Sequence, residues 1–374
     1  MKKPRLTAIE YIRGISMLGV IGIHVGSQYL SNTMANIHLV ALFEIASRFS
    51  VPIFFFISAF GLFYNLDMKA TFNYKSFMQR RFKTVLIPYL AWSVFYVLQY
   101  TILYKDTSLL SLSLFARFLF FGLACYQLYF LVILLWFYIL MPLWIWLVKH
   151  MTSSRLLILL ILQIAFDYYS SFVMNPYGIE NAVIKELLVY RLNYWVLHYL
   201  FIFILGGYLA VHINAFQSFM KSHRIAICFF FWLSMLTLLG YYYKLLFYTG
   251  YTPIEAINTA HQLSPAGIFY TIAASIFFFT IFTFNNYPKG CHTLLGILGH
   301  HSYFAYLAHP VAITYLSMFL TSQGILMTAP VAILFYIAVV FLSIIAGSIV
   351  RRIGGYLPMI NILSIGVYPK SKNS

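Results

Sequence analysis

The sequence predicts an all-α fold: a polytopic transmembrane bundle of about ten spanning helices, with both termini cytoplasmic. Three observations predict it. Apolar runs of about 20 residues recur along the chain, each long enough to cross a bilayer as a helix. The composition is 62% hydrophobic, 20% aromatic and only 9% charged, with a mean hydropathy of +0.84, a profile foreign to soluble globular domains. The few charges, finally, are sorted along the chain rather than scattered.

That sorting explains the net charge of +16. Alternate gaps and both termini collect Lys2, Lys3, Arg5, Lys69, Lys75, Arg80, Arg81, Lys83, Lys149, Arg155, Lys221, Arg224, Lys289, Arg351, Arg352, Lys370 and Lys372. The opposite gaps hold most of the acids, among them Glu44, Asp106, Glu180, Glu186 and Glu255. Cations concentrate on the cytoplasmic side of membrane proteins, so the basic balance reports topology and no nucleic-acid partner is expected. With 374 residues spent on spans and short loops, residues 1–374 read as one integral-membrane domain in the cell membrane. Cys125, Cys228 and Cys291 lack metal-ligand or redox spacing and read as small apolar fillers, and no metal site is expected. The basic start before an apolar run resembles a signal peptide, but Arg13 interrupts the run and many spans follow, so it reads as a retained first helix.

The first span, about Thr7 to Leu30, contains Arg13 and His24, which lipid penalises unless they face protein or a cavity. Eleven residues separate them, roughly three turns plus ~20°, so they share a face with ~16 Å of rise between them. Glu10, Met17, Val20 and Gln28 fall within ~40° of His24, and Ser27 about 60° away. Gly19, Gly22 and Gly26 lie opposite, where small residues admit a neighbouring helix. A purely structural alternative stays open, in which Arg13 pairs with Glu10 and His24 is a hydrogen-bonded core residue.

The second span, about Ala46 to Asn65, is expected to be kinked by Pro52 near its outer end. Glu44 and Arg48 can pair at four-residue spacing, and Arg48 either lines a site or snorkels to the interface. Before the third span, Arg80, Arg81 and Lys83 anchor topology or grip a phosphorylated ligand. An amphipathic stretch holds Arg117, the fourth span opens at Tyr126-Gln127-Leu128-Tyr129-Phe130, and the fifth, about Leu156 to Met174, contains Asp167. Further spans follow at about Tyr194–Val211, Ile225–Phe247 and Gly267–Phe284. The external loop Thr249–Pro265 is long enough to shape an acceptor site. The ninth span starts near His300, placing Ser302, Tyr306 and His309 on one face. Pro310 frees a carbonyl there, so His309 either borders a cavity or satisfies that carbonyl. The tenth span, about Pro330 to Val350, ends at Arg351-Arg352.

Taken together, Arg13 with His24, the segment from Ser47 to Ser58, the cluster Arg80, Arg81 and Lys83, and Tyr306-x-x-His309-Pro310 resemble the acyltransferase-3 family of bacterial integral-membrane acyltransferases. The likeness is to members that O-acetylate or O-succinylate surface polysaccharides, and it runs along essentially the whole chain. Departures are Glu10 for a frequent Asp, Ser58-Ala59 for Ser-Gly, and Gln127-Leu128-Tyr129-Phe130-Leu131 for His-Leu-Trp-Phe-Leu, so the role of that family histidine would pass to Gln127. The resemblance implies a membrane-bound O-acyltransferase with no bound cofactor. Its donor would be cytoplasmic acyl-coenzyme A, carrying acetyl or succinyl, and its acceptor a hydroxyl of an extracytoplasmic or lipid-linked glycan. Some relatives carry a further extracytoplasmic domain; here transfer is expected to finish in the membrane domain or on a glycan-synthesis partner.

Within that reading Arg80, Arg81 and Lys83 bind the coenzyme A phosphates. Arg13 holds the thioester arm, and His24 acts as general base or as an acyl-histidine. Arg48, Gln28, Gln127 and His309 line the cavity or the acceptor side. The rival reading is a transporter of a surface polysaccharide or lipid-linked sugar, which would also need a polar path; a structural membrane component with buried ion pairs is the third.

Overall fold

The computed structural model describes residues 6–31 and 35–368; Lys2, Lys3, Arg5, Lys370 and Lys372 of the charge pattern lie outside them. Every regular element among the described residues is helical. Among the described residues eight helices are long and apolar enough to cross a membrane, or up to ten when each of two bent pairs counts as one span. Many carry wide apolar faces: Ile225, Phe229, Phe230, Trp232, Leu233 and Leu236 are all exposed along Arg224–Phe247. Side chains of that kind, unmet by protein, belong against lipid. The protein is a multi-pass membrane protein.

The chain divides into two compact units, each drawn from three stretches of sequence. The first comprises Met1–Asp67, His150–Met174 and His198–Ile344. In it the Leu200–Val211 helix packs on Ser50–Asn65, and a methyl group on Gly206 would strike the Phe56 carbonyl. The Thr7–Leu30 helix packs on Lys289–Ser322 in the same way: a methyl on Gly14 would lie 2.8 Å from Leu298 Cβ. The Arg224–Phe247 and Pro265–Phe284 helices meet through Phe231 and Phe277, with ring centroids 4.1 Å apart and planes 6° from parallel. Small residues and stacked rings are how helices pack when lipid offers no hydrophobic contrast.

The second unit comprises Met68–Lys149, Asn175–Leu197 and Ile345–Ser374. Its Tyr129–Ile139 and Met141–Lys149 helices are bent by 66°. Pro142 cannot donate to the Tyr138 carbonyl, and across the bend the Trp144 indole donates to a different carbonyl, Phe137 O, at 2.9 Å. The Leu112–Phe121 helix is closed by Gly122 at φ 70, where a methyl would meet the Tyr129 backbone; here glycine is required. Arg117 on that helix pairs with Glu186 and lies over the Tyr190 ring.

Two expectations change in detail. The second span begins earlier and breaks before Pro52. Ile37–Val40 passes into a wide turn at Ala41–Ile45, and the regular helix resumes at Ser50, so Pro52 sits in its first turn, where no N–H is missed. The ninth span starts at Lys289, not near His300.

Candidate active site

The glycine stripe of the first helix does the initial positioning. A methyl on Gly26 would lie 2.9 Å from Glu44 Cγ and 3.0 Å from Phe43 Cβ, and one on Gly19 would strike Ser50 Oγ. At Gly22 the nearest atom would be Ser47 Oγ, 3.4 Å away. The stripe therefore seats the first helix on the wide turn and on the start of the Ser50–Asn65 helix. This contact brings Ser27 to Glu44: the hydroxyl donates to Glu44 Oε1 at 2.6 Å.

Glu44 in turn holds Arg48, Oε2 to Nη2 at 3.2 Å, with the carboxylate 2% and the guanidinium 12% exposed. The i,i+4 pair expected from the sequence is thus formed and buried. Arg48 Nη2 also donates to the Ile257 carbonyl at 3.4 Å. Ile257 is presented by a short helix, Pro253–Thr259, whose start is set by a capping box between Thr252 and Glu255 and by proline in its first turn. Arg48 Nε is buried with no hydrogen-bond partner among the described residues.

His24 is partly exposed on the first helix, and its ring stacks on His309 with centroids 5.2 Å apart and planes 21° from parallel. His309 is fully buried. Its Nδ1 lies 2.8 Å from Tyr306 O and 3.1 Å from Ala305 O. Tyr306 O is the carbonyl that Pro310 leaves without its helical donor, so Nδ1 must carry the proton and Nε2 is the basic nitrogen. The ring satisfies the freed carbonyl, one of the two readings offered for His309, and, held by it, presents a face to His24. Arg48 is near enough to His24 for its charge to act there.

The other first-unit candidates are more peripheral. Arg13 is exposed, about three turns before His24 on the same helix. Gln28 is exposed one turn beyond His24. In the second unit Arg80 and Lys83 are exposed; Arg80 Nη1 donates to Ser76 Oγ at 2.9 Å, and Lys83 lies over the Tyr368 ring. The Arg81 guanidinium sits 5.1 Å from the ring centroids of both Phe77 and Tyr138, and its Nε is buried without a partner among the described residues. Gln127 is buried in the turn before Tyr129–Ile139 and hydrogen-bonds Tyr96.

Sequence reasoning missed two histidines. His261, in the loop singled out as an acceptor site, stacks on Phe172 at 5.6 Å and accepts from Leu263 N–H at its Nδ1, 3.0 Å away. Burial, then the charges of Arg48 and His198, hold its imidazole down at about 3. His198 pairs through Nδ1 with Asp167 Oδ1 at 2.7 Å, and both side chains are fully buried. Gln163, four residues before Asp167, donates to Asp167 Oδ2 at 2.7 Å and accepts from the Phe201 N–H at 3.0 Å. The available signal was Gln163 and Asp167 at helical spacing inside an apolar span, since an intramembrane carboxylate demands a partner.

A family model described as an acyltransferase domain matches residues 6–348. No curated protein and no solved structure matches the chain.

Proposed function

The chain belongs to this acyltransferase family and is an acyltransferase, and from that premise we propose that it moves an acetyl or succinyl group from cytoplasmic acyl-coenzyme A to a hydroxyl of an extracytoplasmic or lipid-linked glycan. Its place is the cell membrane. The observation that carries this reading is the His24–His309 stack beside Arg48. A partly exposed imidazole stands next to a second ring of fixed tautomer and a guanidinium anchored by a carboxylate.

Such a group performs acyl transfer as follows. His24 takes the proton of the acceptor hydroxyl as its oxygen attacks the thioester carbonyl. Charge gathers on the carbonyl oxygen, where Arg48 stabilises it. The C–S bond breaks, and the thiolate recovers the proton from His24 and leaves as coenzyme A thiol. Arg13 holds the thioester arm, and Gln28 and His309 border the reacting groups. In the second unit, Arg80, Arg81 and Lys83 bind the coenzyme A phosphates. Stacking on rings leaves the in-plane N–H edge of Arg81 available to an anion, and Gln127 lines the acceptor side. A glycan-synthesis protein supplies or receives the acceptor.

Purified protein with labelled acetyl- and succinyl-coenzyme A tests this. His24→Ala is expected to lower kcat by ~10²-fold or more while insertion and melting temperature hold. Near wild-type turnover in that variant would remove His24 from the chemistry. Label trapped on His24 after a rapid acid quench would identify the acyl-histidine route instead.

A further inference from the structure

The backbone that carries Arg48 changes its hydrogen-bond register twice between Ala41 and Ile53. Ala46 N–H reaches back to Ala41 O at 3.0 Å, closing the wide turn Ala41–Ile45. Arg48 N–H and Ser50 N–H then reach back only to Ile45 O at 3.1 Å and Ser47 O at 3.0 Å. From Ile53 N–H, bonded to Phe49 O at 3.0 Å, the ordinary helical spacing of four holds. Arg48 therefore leaves the chain from a link between two helical segments, where the regular ladder is interrupted.

The interruption leaves a carbonyl over. In a continuous helix Ser50 N–H would bond Ala46 O, but it is spent on Ser47 O. Within a membrane protein such a carbonyl must find another donor. Tyr270 supplies it: the hydroxyl donates to Ala46 O at 2.7 Å. The same side chain meets the far side of the link. Its ring stands edge-on to Phe49, with centroids 5.8 Å apart and planes 85° apart. Tyr270 is 1% exposed on the Pro265–Phe284 helix, where Phe231 packs on it at 6.0 Å.

One tyrosine thus grips the chain two residues before Arg48 and one residue after it. The guanidinium is clamped at its tip, by Glu44 Oε2 at 3.2 Å and Ile257 O at 3.4 Å. Those partners set where it points; the Tyr270 contacts set where its backbone stands. Ala46 is the midpoint between Glu44 and Arg48, so a shift of its peptide alters the one-turn spacing on which their ion pair depends. The hydroxyl proton is committed to Ala46 O and the ring is buried, so Tyr270 acts through Arg48 and not on substrate.

We infer that Tyr270 is a positioning residue for acyl transfer: by tying Ala46 and Phe49 to the Pro265–Phe284 helix, it fixes the height of the Arg48 guanidinium. The inference rests on the transferase reading and on the oxyanion-stabilising role given there to Arg48.

The test uses full-length protein, labelled acetyl- or succinyl-coenzyme A, whichever the wild type turns over, and surface polysaccharide from the producing cells stripped of O-acyl groups by mild alkali. Tyr270→Phe keeps the ring and removes only the hydroxyl. Its matched control is Tyr89→Phe in the second unit, which removes a bond of the same kind, from a buried tyrosine hydroxyl to Leu119 O at 2.6 Å. Both variants are expected to lower the melting temperature by a similar small amount. Only Tyr270→Phe should lower kcat, by about 10-fold, because a reacting group misplaced by ~1 Å can cost ~10²-fold. Both of its KM values should stay within about 2-fold of wild type, since uniform binding is untouched. Wild-type kcat in Tyr270→Phe overturns the positioning role. Equal losses of kcat in the two variants overturn it as well, in favour of general loosening of the bundle. KM values that move as far as kcat do the same, placing the effect in binding. Wild-type protein that transfers nothing to the polysaccharide overturns the transferase reading, and the role of Tyr270 falls with it.

Discussion

Arg48 in the first unit and Arg81 in the second are both mostly shielded from solvent, and each has a buried Nε without a partner among the described residues. They are held in opposite ways. Arg48 is clamped by the Glu44 carboxylate and the Ile257 carbonyl, so its charge is largely met within the protein and its direction is set. Arg81 lies between the Phe77 and Tyr138 rings, which attract a cation without neutralising it. A carboxylate partner makes an arginine a fixed electrostatic tool, whereas aromatic faces keep it a net positive charge available to an anion. The difference matches the roles proposed for them, oxyanion stabilisation for one and phosphate binding for the other.

The sharpest way to break the contrast is Glu44→Gln. Leaving the Arg48 charge unpaired in a buried site is expected to cost about 3 kcal/mol, seen as a clear fall in melting temperature in detergent. Combining it with Arg48→Met should restore part of the stability but none of the turnover. An unchanged melting temperature for Glu44→Gln would mean that Glu44 does not hold Arg48.

The seating of Glu44 supplies the next test. Gly26→Ala places its methyl against Glu44 and Phe43 and is expected to cost about 1–3 kcal/mol, the range for overpacking. Gly22→Ala meets only an ordinary contact with Ser47 and should be nearly silent, whereas Gly22→Leu should resemble Gly26→Ala and lower kcat as well. Equal melting temperatures for the two alanine variants would show that the stripe does not set the height of the first helix.

On the Arg81 side the expected effects are smaller. Arg81→Ala should raise the KM for acetyl-coenzyme A about 10-fold, one charge-assisted hydrogen bond. Arg81→Lys, which keeps the charge but loses the planar fork, should give about 3-fold. Neither should alter the KM for a truncated thioester without phosphates; equal effects on both donors would reduce the cluster to a topology anchor.

The smallest effect concerns the neighbour of Arg48. His261, held at about 3, resists a proton that an unfolded histidine accepts near 6.5. Below that value the unfolded chain binds more protons, so stability contributed by His261 is present at neutral pH and is lost as pH falls toward about 3. His261→Gln is expected to flatten the decline in melting temperature between pH 7 and 5. An identical slope in wild type and variant would place the acid sensitivity elsewhere.

Much of this arrangement is local enough to be legible in the chain. Glu44 and Arg48 are one turn apart, Pro310 follows His309, and Gly19, Gly22 and Gly26 fall on one face of a helix long enough to span a bilayer. The break after the wide turn was not legible as such, because proline in a first helical turn costs nothing and carries no signal of where the preceding turn loosens. His261 and His198 were missed because neither sits on a periodic face with other polar groups.

The sequence by itself determined a helical membrane bundle, the order of its spans, its family, and the local pairs that helical spacing creates, while the starts of the second and ninth spans lay about ten residues earlier than read. Only the tertiary structure decided that His24 stacks on His309, that Arg48 reaches the Ile257 carbonyl, and that Asp167 finds His198. Each of those contacts joins segments far apart along the chain. Which residues meet across a packed interface depends on the relative height and rotation of two helices. Those are set by side-chain interlocking at small residues such as Gly14, Gly26 and Gly206, and a period of 3.6 residues encodes a helix face without encoding what that face will meet.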